Sequence, residues 1–171
     1  MDKQKRIVLT GFMGVGKSSV ARHIAHMIGT RRIDLDIVIE ETENMSIAEI
    51  VDSRGERAFR EIETANLRGI VSDRNVRVIS LGGGAWTLPE NRELLAKNDF
   101  TSVWLESTFD HCWLNITFSR KDRPLARDKN KALKLFEERQ KVYCLADWHF
   151  VIRPGQTSYE VAKQISEEVL S

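Results

Sequence analysis

Residues 11–18 combine glycines with a lysine and a serine at a spacing suited to holding phosphate groups. They read Gly-Phe-Met-Gly-Val-Gly-Lys-Ser, the pattern G-x-x-x-x-G-K-[ST]. Glycines let backbone N–H groups turn inward around a di- or triphosphate, Lys17 supplies positive charge to the outer phosphates, and Ser18 Oγ can bind Mg²⁺. The octet therefore predicts binding of a nucleotide phosphate together with magnesium.

The segments on either side of this loop support that interpretation. Residues 7–9 are a short, partly β-branched run typical of a buried parallel strand. After the loop, apolar residues recur at the spacing of one helix face: Val20, Ile24, Met27 and Ile28. A helix that begins at the loop points the positive end of its dipole at the phosphate. Strand, loop and helix thus follow in the order that phosphate binding requires.

Two aspartates come directly after the second predicted strand. Asp34 and Asp36 flank Leu35. One interpretation is chemical: one carboxylate supports a metal ion with Ser18, and the other orients an attacking hydroxyl and accepts its proton. The alternative is structural, because a strand exit and a helix N-cap also favour aspartate. The pair alone does not decide between them.

Other polar groups occur farther along the chain. Gly82–Gly84 follows an apolar strand, and three successive glycines permit close backbone approach to a ligand. Arg60 and Arg139 have the planar fork that matches a carboxylate, although exposed arginines are common. Seven basic residues lie between 120 and 134: Arg120, Lys121, Arg123, Arg127, Lys129, Lys131 and Lys134. This stretch suits a lid over a triphosphate, and a solvated basic loop is the alternative.

Strand and helix patterns alternate along the chain, which predicts an α/β fold with a parallel sheet covered on both faces. Strands are predicted at 7–9, ending at 33–34, and at 76–81, 100–105 and 148–152. Helices are predicted at 36–43, 46–53, from Gly55 to about Ser72, and at 89–97, 109–118, 133–144 and from Thr157. Ligands bind beyond the carboxyl ends of such strands. The phosphate loop, the aspartates and the glycine triplet are therefore expected to converge.

Length and charge restrict the function classes. A chain of 171 residues suits one domain, and a net charge of +1 gives no general affinity for nucleic acid or an anionic membrane. No leader or membrane span is evident, so we expect a cytoplasmic protein. Cys112 and Cys144 lack disulfide or metal-binding spacing and are expected to be thiols.

Taken in order, several motifs resemble those of the shikimate kinase family. They are the phosphate loop, Asp-Leu-Asp at 34–36, Gly-Glu-Arg-Ala-Phe-Arg-Glu-Ile-Glu at 55–63, Gly-Gly-Gly-Ala at 82–85, Arg-Pro-Leu at 123–125 and Arg-x-x-x-Tyr at 139–143. The resemblance spans nearly the whole chain. It implies a three-layer α/β/α fold with a mainly five-stranded parallel sheet. It also implies a helical substrate-binding region at about 34–62 and a mobile lid at about 119–132.

The resemblance implies a role for each matching residue. ATP is expected to bind at Gly14, Val15, Gly16, Lys17, Ser18 and Ser19, with Mg²⁺ at Ser18 and Asp34. Shikimate is expected at Asp36, Arg60, Gly83, Gly84 and Arg139. Asp36 is the expected base, and Lys17 and Arg123 are the catalytic cations. The implied reaction is phosphoryl transfer from ATP to the 3-hydroxyl of shikimate by a monomer. A gluconate-type kinase and a non-catalytic nucleotide-binding module are the alternatives.

The chain departs from the family pattern at three places. Lys141 stands where proline is usual, beside the expected carboxylate site, and Trp86 stands where a small aliphatic residue is usual. The usual adenine-stacking arginine is absent from residues 113–119, so Arg120 or Arg153 is expected to hold adenine instead. These departures predict a reshaped acceptor pocket or an altered specificity.

Overall fold

A sheet of five parallel strands forms the centre of the molecule. In the computed structural model, which describes residues 4–171, the strands are β1 (Arg6–Thr10), β2 (Arg32–Asp34), β3 (Val78–Ser80), β4 (Phe100–Glu106) and β5 (Trp148–Val151). They lie in the order β2-β3-β1-β4-β5, and every neighbouring pair is parallel. All five residues of β1 are buried. The predicted parallel sheet with a buried first strand is confirmed.

Helices flank this sheet. They are α1 (Lys17–Met27), α2 (Leu35–Glu43), α3 (Ile47–Arg54), α4 (Glu56–Ser72), α5 (Pro89–Lys97), α6 (Phe109–Phe118), α7 (Lys129–Tyr143) and α8 (Ser158–Val169). Helix α1 packs against α8, and α4 packs against α2, α3 and α5. The predicted α/β class and its five-stranded core are therefore confirmed.

Local side-chain caps determine where several helices begin. Ser46 and Glu49 exchange hydrogen bonds at the start of α3, and Thr157 and Glu160 do the same at α8. These are the two capping boxes that the sequence predicted. Helix α7 begins four residues earlier than predicted, because Asp128 accepts a hydrogen bond from the Lys131 amide at 2.8 Å and caps the helix there.

Two single-turn 3₁₀ helices were not predicted. One, Ala85–Thr87, follows the glycine triplet, and the other, Pro124–Ala126, lies within the expected lid segment. Strand β3 is also shorter than its apolar run. Both 3₁₀ turns are tied to tertiary contacts, which a local pattern does not contain.

Strand register brings the predicted functional segments together. Leu9 of β1 and Asp34 of β2 are both paired with Ser80 of β3. The phosphate loop, the aspartate pair and the glycine triplet consequently leave the sheet at one edge. Among the described residues 4–171, no helix is both long and apolar enough to span a bilayer. Cys112 is a buried free thiol, and Cys144 is exposed.

Candidate active site

The phosphate loop surrounds the start of α1. Gly14 and Gly16 have φ angles of 77° and 107°, in the left-handed region that glycine tolerates. A Cβ on Gly14 would also lie 2.5 Å from the carbonyl oxygen of Cys112. Both glycines are thus required by the loop itself, and α1 directs its N-terminus at the space they enclose.

Lys17 lies inside this loop with 8% of its surface exposed. Its ammonium donates to the carbonyl oxygens of Gly11 at 2.7 Å and Phe12 at 3.0 Å. Burial lowers the pKa of Lys17 to about 8, and the nearby carboxylate of Asp36 partly opposes that shift. An anion placed beside Lys17 would stabilise the ammonium group, which burial deprives of hydration.

Asp34 performs the structural role and also faces the loop. Its Oδ1 caps α2 by accepting from the amides of Asp36 at 3.1 Å and Ile37 at 3.4 Å. Its Oδ2 accepts a 2.5 Å hydrogen bond from Ser18 Oγ. Asp34 is thus both the last residue of β2 and the N-cap of α2, whereas Asp36 lies in the first turn of that helix and is not a cap. The second oxygen of Asp34 stays beside Ser18. The two alternatives drawn from the sequence are compatible.

Ser18 and Asp34 fit a magnesium ion. Both present oxygen atoms, the ligands that Mg²⁺ prefers, and Mg²⁺ usually keeps several waters and substrate phosphate oxygens as its other ligands. Within residues 4–171 there is no group of three His, Cys, Asp or Glu side chains that could hold a metal. A protein site made of one hydroxyl and one carboxylate suits this partly hydrated ion.

Two adjoining cavities open at this edge of the sheet. The loop cavity is lined by the phosphate loop and its surroundings, including Gly14, Gly16, Lys17, Ser18, Ser19, Asp34 and Asn115. The arginine cavity is lined by Phe59, Arg60, Glu63, Gly84, Arg139 and residues of the lid segment. Six residues line both: Met13, Asp36, Gly82, Gly83, Lys121 and Arg123. The boundary between the cavities therefore carries one carboxylate and two cations.

Asp36 is the carboxylate at this boundary. It lies against the backbone of Gly82, where a Cβ would come within 2.6 Å of Oδ1. Lys121 Nζ of the lid segment is 3.4 Å from its Oδ2. Sequence reasoning assigned Lys121 only to a basic stretch, and the structure places it at the predicted base.

Arg123 is the second cation at the boundary. Its Nη1 is buried and has no hydrogen-bond partner within the described part of the chain. Burial lowers the pKa of Arg123, while the charge of Asp36 opposes that change. A buried guanidinium N–H without an acceptor is unfavourable. An anion spanning the two cavities would satisfy it.

Arg60 enters the arginine cavity from α4. Its Nη1 donates to Glu63 Oε1 at 2.7 Å, one helical turn away. Glu63 is fully buried, and burial raises the pKa of its carboxyl although Arg60 opposes the shift. The motif at 55–63 contains Glu63, but its role as the partner of Arg60 emerges only from the structure.

Arg139 enters the same cavity from α7 and is 6% exposed. A Cβ on Gly83 would lie 3.1 Å from its Nη1, and the hydroxyl of Tyr143 donates to the Gly83 carbonyl. Burial raises the pKa of Tyr143 to about 12, so the phenol stays neutral. Arg60 and Arg139 therefore bring two guanidiniums to one cavity beside the glycine triplet.

The two residues expected to hold adenine lie outside both cavities. Arg120 and Arg153 are exposed and line neither cavity, so their expected contact with adenine gains no support from this arrangement. Asn115 lines the loop cavity and donates to the Gly14 carbonyl at 2.8 Å. Val15 is buried, and its amide donates to Phe12 O at 3.2 Å.

Trp86 and Lys141 line neither cavity. Lys141 is exposed, because two residues along a helix rotate its side chain about 200° from Arg139. Trp86 is 4% exposed and packs behind the glycine triplet rather than in the cavity lining. The expected reshaped pocket or altered acceptor specificity stays a prediction.

Comparisons with known proteins identify the family of this chain. The family model for shikimate kinase matches residues 13–170. A shikimate kinase of Sulfurihydrogenibium sp. is 37% identical over 98% of this chain and 96% of its own length. One of Geobacter metallireducens is 40% identical over 95% of this chain and 90% of its own.

Comparison with solved structures shows similarity of the fold as well as of the sequence. Shikimate kinase from Acinetobacter baumannii in complex with shikimate superimposes with a TM-score of 0.87 at 32% identity, covering 97% of this chain and 93% of that one. A gluconokinase from Sinorhizobium meliloti has a TM-score of 0.52 at 16% identity, covering 96% of this chain and 90% of that one, which shows a shared fold alone. By its motifs, its relatives and its fold, the chain belongs to the shikimate kinase family.

Proposed function

We propose that this protein transfers the γ-phosphoryl group of ATP to the 3-hydroxyl of shikimate, giving shikimate 3-phosphate and ADP for aromatic amino acid biosynthesis. The observation that carries the proposal is the shared boundary of the two cavities. Asp36 and Arg123 line both, between a phosphate loop on one side and two guanidiniums on the other. This arrangement suits a reaction that joins a phosphate donor to a carboxylate-bearing acceptor.

The loop cavity would hold the donor. Backbone amides of the phosphate loop and the N-terminus of α1 would bind the phosphates of ATP, with Lys17 as their buried countercharge. Ser18 and Asp34 would hold Mg²⁺, which offsets the phosphate charge when bound. Gly14, Val15, Gly16 and Ser19 complete the proposed ATP-binding residues.

The arginine cavity would hold the acceptor. Arg60 and Arg139 would bind the carboxylate of shikimate through charge-assisted hydrogen bonds, and Gly83 and Gly84 would contact the substrate through their backbone. Asp36 lines this cavity where it meets the loop cavity. A carboxylate bound by the two arginines would thus leave a ring hydroxyl near Asp36.

Transfer would take place at the boundary. Asp36 would orient the acceptor hydroxyl and take its proton while the oxygen attacks the γ-phosphorus. Arg123 and Lys17 would stabilise the charge on the phosphoryl oxygens during transfer. The unpartnered Nη1 of Arg123 supports this role, because a phosphoryl oxygen is the acceptor it lacks.

The lid segment would close over both substrates. We place the lid at about 119–132 and the acceptor-binding region at about 34–62 of one catalytic domain, residues 1–171. Two contacts between the segments support this: Lys121 with Asp36, and Arg127, which donates to both carboxylate oxygens of Asp52 at 3.1 and 2.9 Å. One chain supplies every residue of the proposed site, so we propose a monomer. The cytoplasmic location stays a prediction.

A coupled assay with ATP, Mg²⁺ and a panel of acceptors tests the proposal. Shikimate should be the preferred acceptor over gluconate and nucleoside monophosphates, and the product should carry phosphate on the 3-oxygen by ³¹P and ¹H NMR. The Asp36→Asn variant should still bind ATP but lose most transfer. Preference for gluconate, or ATP binding without transfer to any acceptor, would contradict the proposal.

A further inference from the structure

The single-turn helix Ala85–Thr87 is hydrogen-bonded to α7, the helix that carries Arg139. The indole N–H of Trp86 donates to the Val142 carbonyl at 3.0 Å. Val142 lies three residues after Arg139, within one helical turn. Trp86 is 4% exposed, and its hydrogen bond to Val142 is partly buried. The position of that turn of α7 is therefore tied to Trp86.

The same single-turn helix is also tied to α4, the helix that carries Arg60. Thr64 Oγ1 donates to Asn91 Oδ1 at 2.8 Å, and Asn91 Nδ2 donates to the Ala85 carbonyl at 2.9 Å. Thr64 lies four residues after Arg60, on the same helix face. Asn91 has no exposed surface, and Thr64 is 8% exposed. A buried polar relay thus joins α4 to the turn that contacts α7.

Helix α5, which carries Asn91, also holds the turn through a second residue. Arg92 of α5 donates to the Trp86 carbonyl at 2.7 Å, and its guanidinium lies 5.9 Å from the indole ring centroid. Both the main chain and the ring of Trp86 are therefore constrained. The turn cannot shift with α7 without also breaking contacts to α5.

Buried polar contacts of this kind are directional. Apolar packing would hold the helices together equally well, but it specifies position less strictly than a satisfied network of hydrogen bonds. Guanidinium forks have rigid planar geometry, so two of them bind one carboxylate well only at a suitable separation. Nothing in the proposed chemistry uses Thr64, Asn91 or the indole N–H directly.

We propose that Trp86 and Thr64 are positioning residues that set the separation of the Arg139 and Arg60 guanidiniums, and thereby the affinity for the acceptor carboxylate. Both act through the single-turn helix Ala85–Thr87. The inference rests on the proposed function, since it takes that carboxylate as the shared ligand of the two arginines. It also gives a role to Trp86, the residue that departs from the family pattern.

Two conservative variants of the full-length chain test this inference. Trp86→Phe keeps the ring and removes the N–H donor, and Thr64→Val keeps the shape and removes the hydroxyl. By calorimetric titration with shikimate, each should raise the Kd about fivefold to tenfold, the scale of one lost buried hydrogen bond. Since only acceptor binding is affected, kcat and the KM for ATP should stay within about twofold of the wild type.

Matched controls separate positioning from general damage. Thr64→Ser keeps the hydroxyl and removes only the methyl group, so this variant should bind shikimate like the wild type. Trp148→Phe makes the same tryptophan change at a residue of β5 that is 39% exposed and lines neither cavity, and it should leave the Kd unchanged. Circular dichroism establishes that each variant is folded. If Thr64→Val does not fold, Trp86→Phe decides the matter alone.

The inference is overturned if the folded Trp86→Phe variant binds shikimate as tightly as the wild type. A parallel deterioration of kcat, the KM for ATP and the Kd for shikimate would also overturn it, because that pattern indicates a merely structural role. If the proposed function itself is wrong, the wild type should neither bind nor phosphorylate shikimate, and this result distinguishes that failure from failure of the inference.

Discussion

The guanidinium of Arg60 lies directly on the backbone of Gly84. A Cβ at Gly84 would come within 2.1 Å of Nη2 of that arginine. Gly84 has a φ angle of −104°, which any residue adopts, so the glycine is needed for space rather than for backbone conformation. Each glycine of the triplet faces one side chain of the proposed site, with Gly82 against Asp36 and Gly83 against Arg139.

We predict that Gly84→Ala displaces Arg60 and weakens acceptor binding. The new methyl group cannot be accommodated without moving the guanidinium, so the KM for shikimate should rise about tenfold, the range expected for disturbing one charged hydrogen-bonding group. The KM for ATP should not change. Steady-state kinetics with each substrate varied in turn measures both values.

Gly69→Ala is the matched control for that substitution. Gly69 lies within α4, and a Cβ there meets no atom within 4 Å. Alanine should stabilise the helix by up to about 1 kcal/mol and leave both KM values unchanged. An unchanged KM for shikimate in Gly84→Ala would show that the position of Arg60 does not control acceptor binding.

Features that depend on neighbouring residues in the chain could be predicted from the sequence, whereas contacts between distant residues could not. Helix starts at Ser46 and Thr157 were predicted because a capping box is complete within four residues. The convergence of strand exits was predicted because parallel strands share one carboxyl edge. The relay from Thr64 through Asn91 was not, since its members lie 27 residues apart and no local pattern links them.

Trp86 and Lys141 illustrate the same limit. Their positions next to motif residues suggested an effect on the acceptor pocket, yet Trp86 lies outside the cavity lining and Lys141 is exposed on α7. Sequence proximity places a residue on an element, but the direction of its side chain depends on helix rotation and on what packs against it. The residues that support Arg60 and Arg139 could therefore be found only in the fold.

Glu63 should make stability depend on pH. Burial raises the pKa of this carboxyl above its unfolded value, despite Arg60 at 2.7 Å and with Asp36 also favouring the neutral form. Its favourable contribution is therefore fully present below the unfolded pKa, near 4.5, and is lost as pH rises through the higher folded pKa. Urea unfolding of the wild type and of Glu63→Gln between pH 4 and 8 measures this.

The prediction concerns the difference in unfolding free energy between the wild type and Glu63→Gln. The wild type should lose stability against Glu63→Gln as pH rises through that window, because glutamine has no charge to bury. Glu61→Gln, on the same helix with an exposed side chain, should show no such trend. A wild-type advantage that grows with pH would mean that the ion pair with Arg60 outweighs burial. The KM for the acceptor should also rise in Glu63→Gln, because the substitution alters the hydrogen-bond acceptor that holds the Arg60 guanidinium.

Arg123 should contribute mainly to the transfer step. Its unpartnered Nη1 lies where the two cavities meet, so we expect Arg123→Ala to lower kcat by about 100- to 1,000-fold, the usual effect of removing one donor to a transition-state oxygen. The KM for shikimate should change little. Lys129→Ala, at an exposed residue, is the control. A loss confined to KM would assign Arg123 to ground-state binding instead.

Arg6 should contribute to stability without affecting catalysis. It is 4% exposed at the start of β1, the end of the strand away from the cavities, and its guanidinium lies 4.0 Å from the ring centroid of Phe100. It donates to four backbone carbonyls at 2.8 to 3.1 Å: those of Val71, Asp73, Val76 and Asn98. One side chain thus joins the end of α4 to the loops that precede β3 and β4.

We predict that Arg6→Met lowers the free energy of unfolding by about 3 kcal/mol, because methionine leaves buried carbonyls without donors. Well below its melting temperature the variant should keep the wild-type kcat and both KM values. Arg57→Met, at a side chain that is 95% exposed, should change neither stability nor kinetics. Denaturant unfolding measures the change in stability, and steady-state kinetics on the same variants measures kcat and both KM values. A folded Arg6→Met with reduced kcat would mean that this end of the sheet is coupled to the cavities at the other.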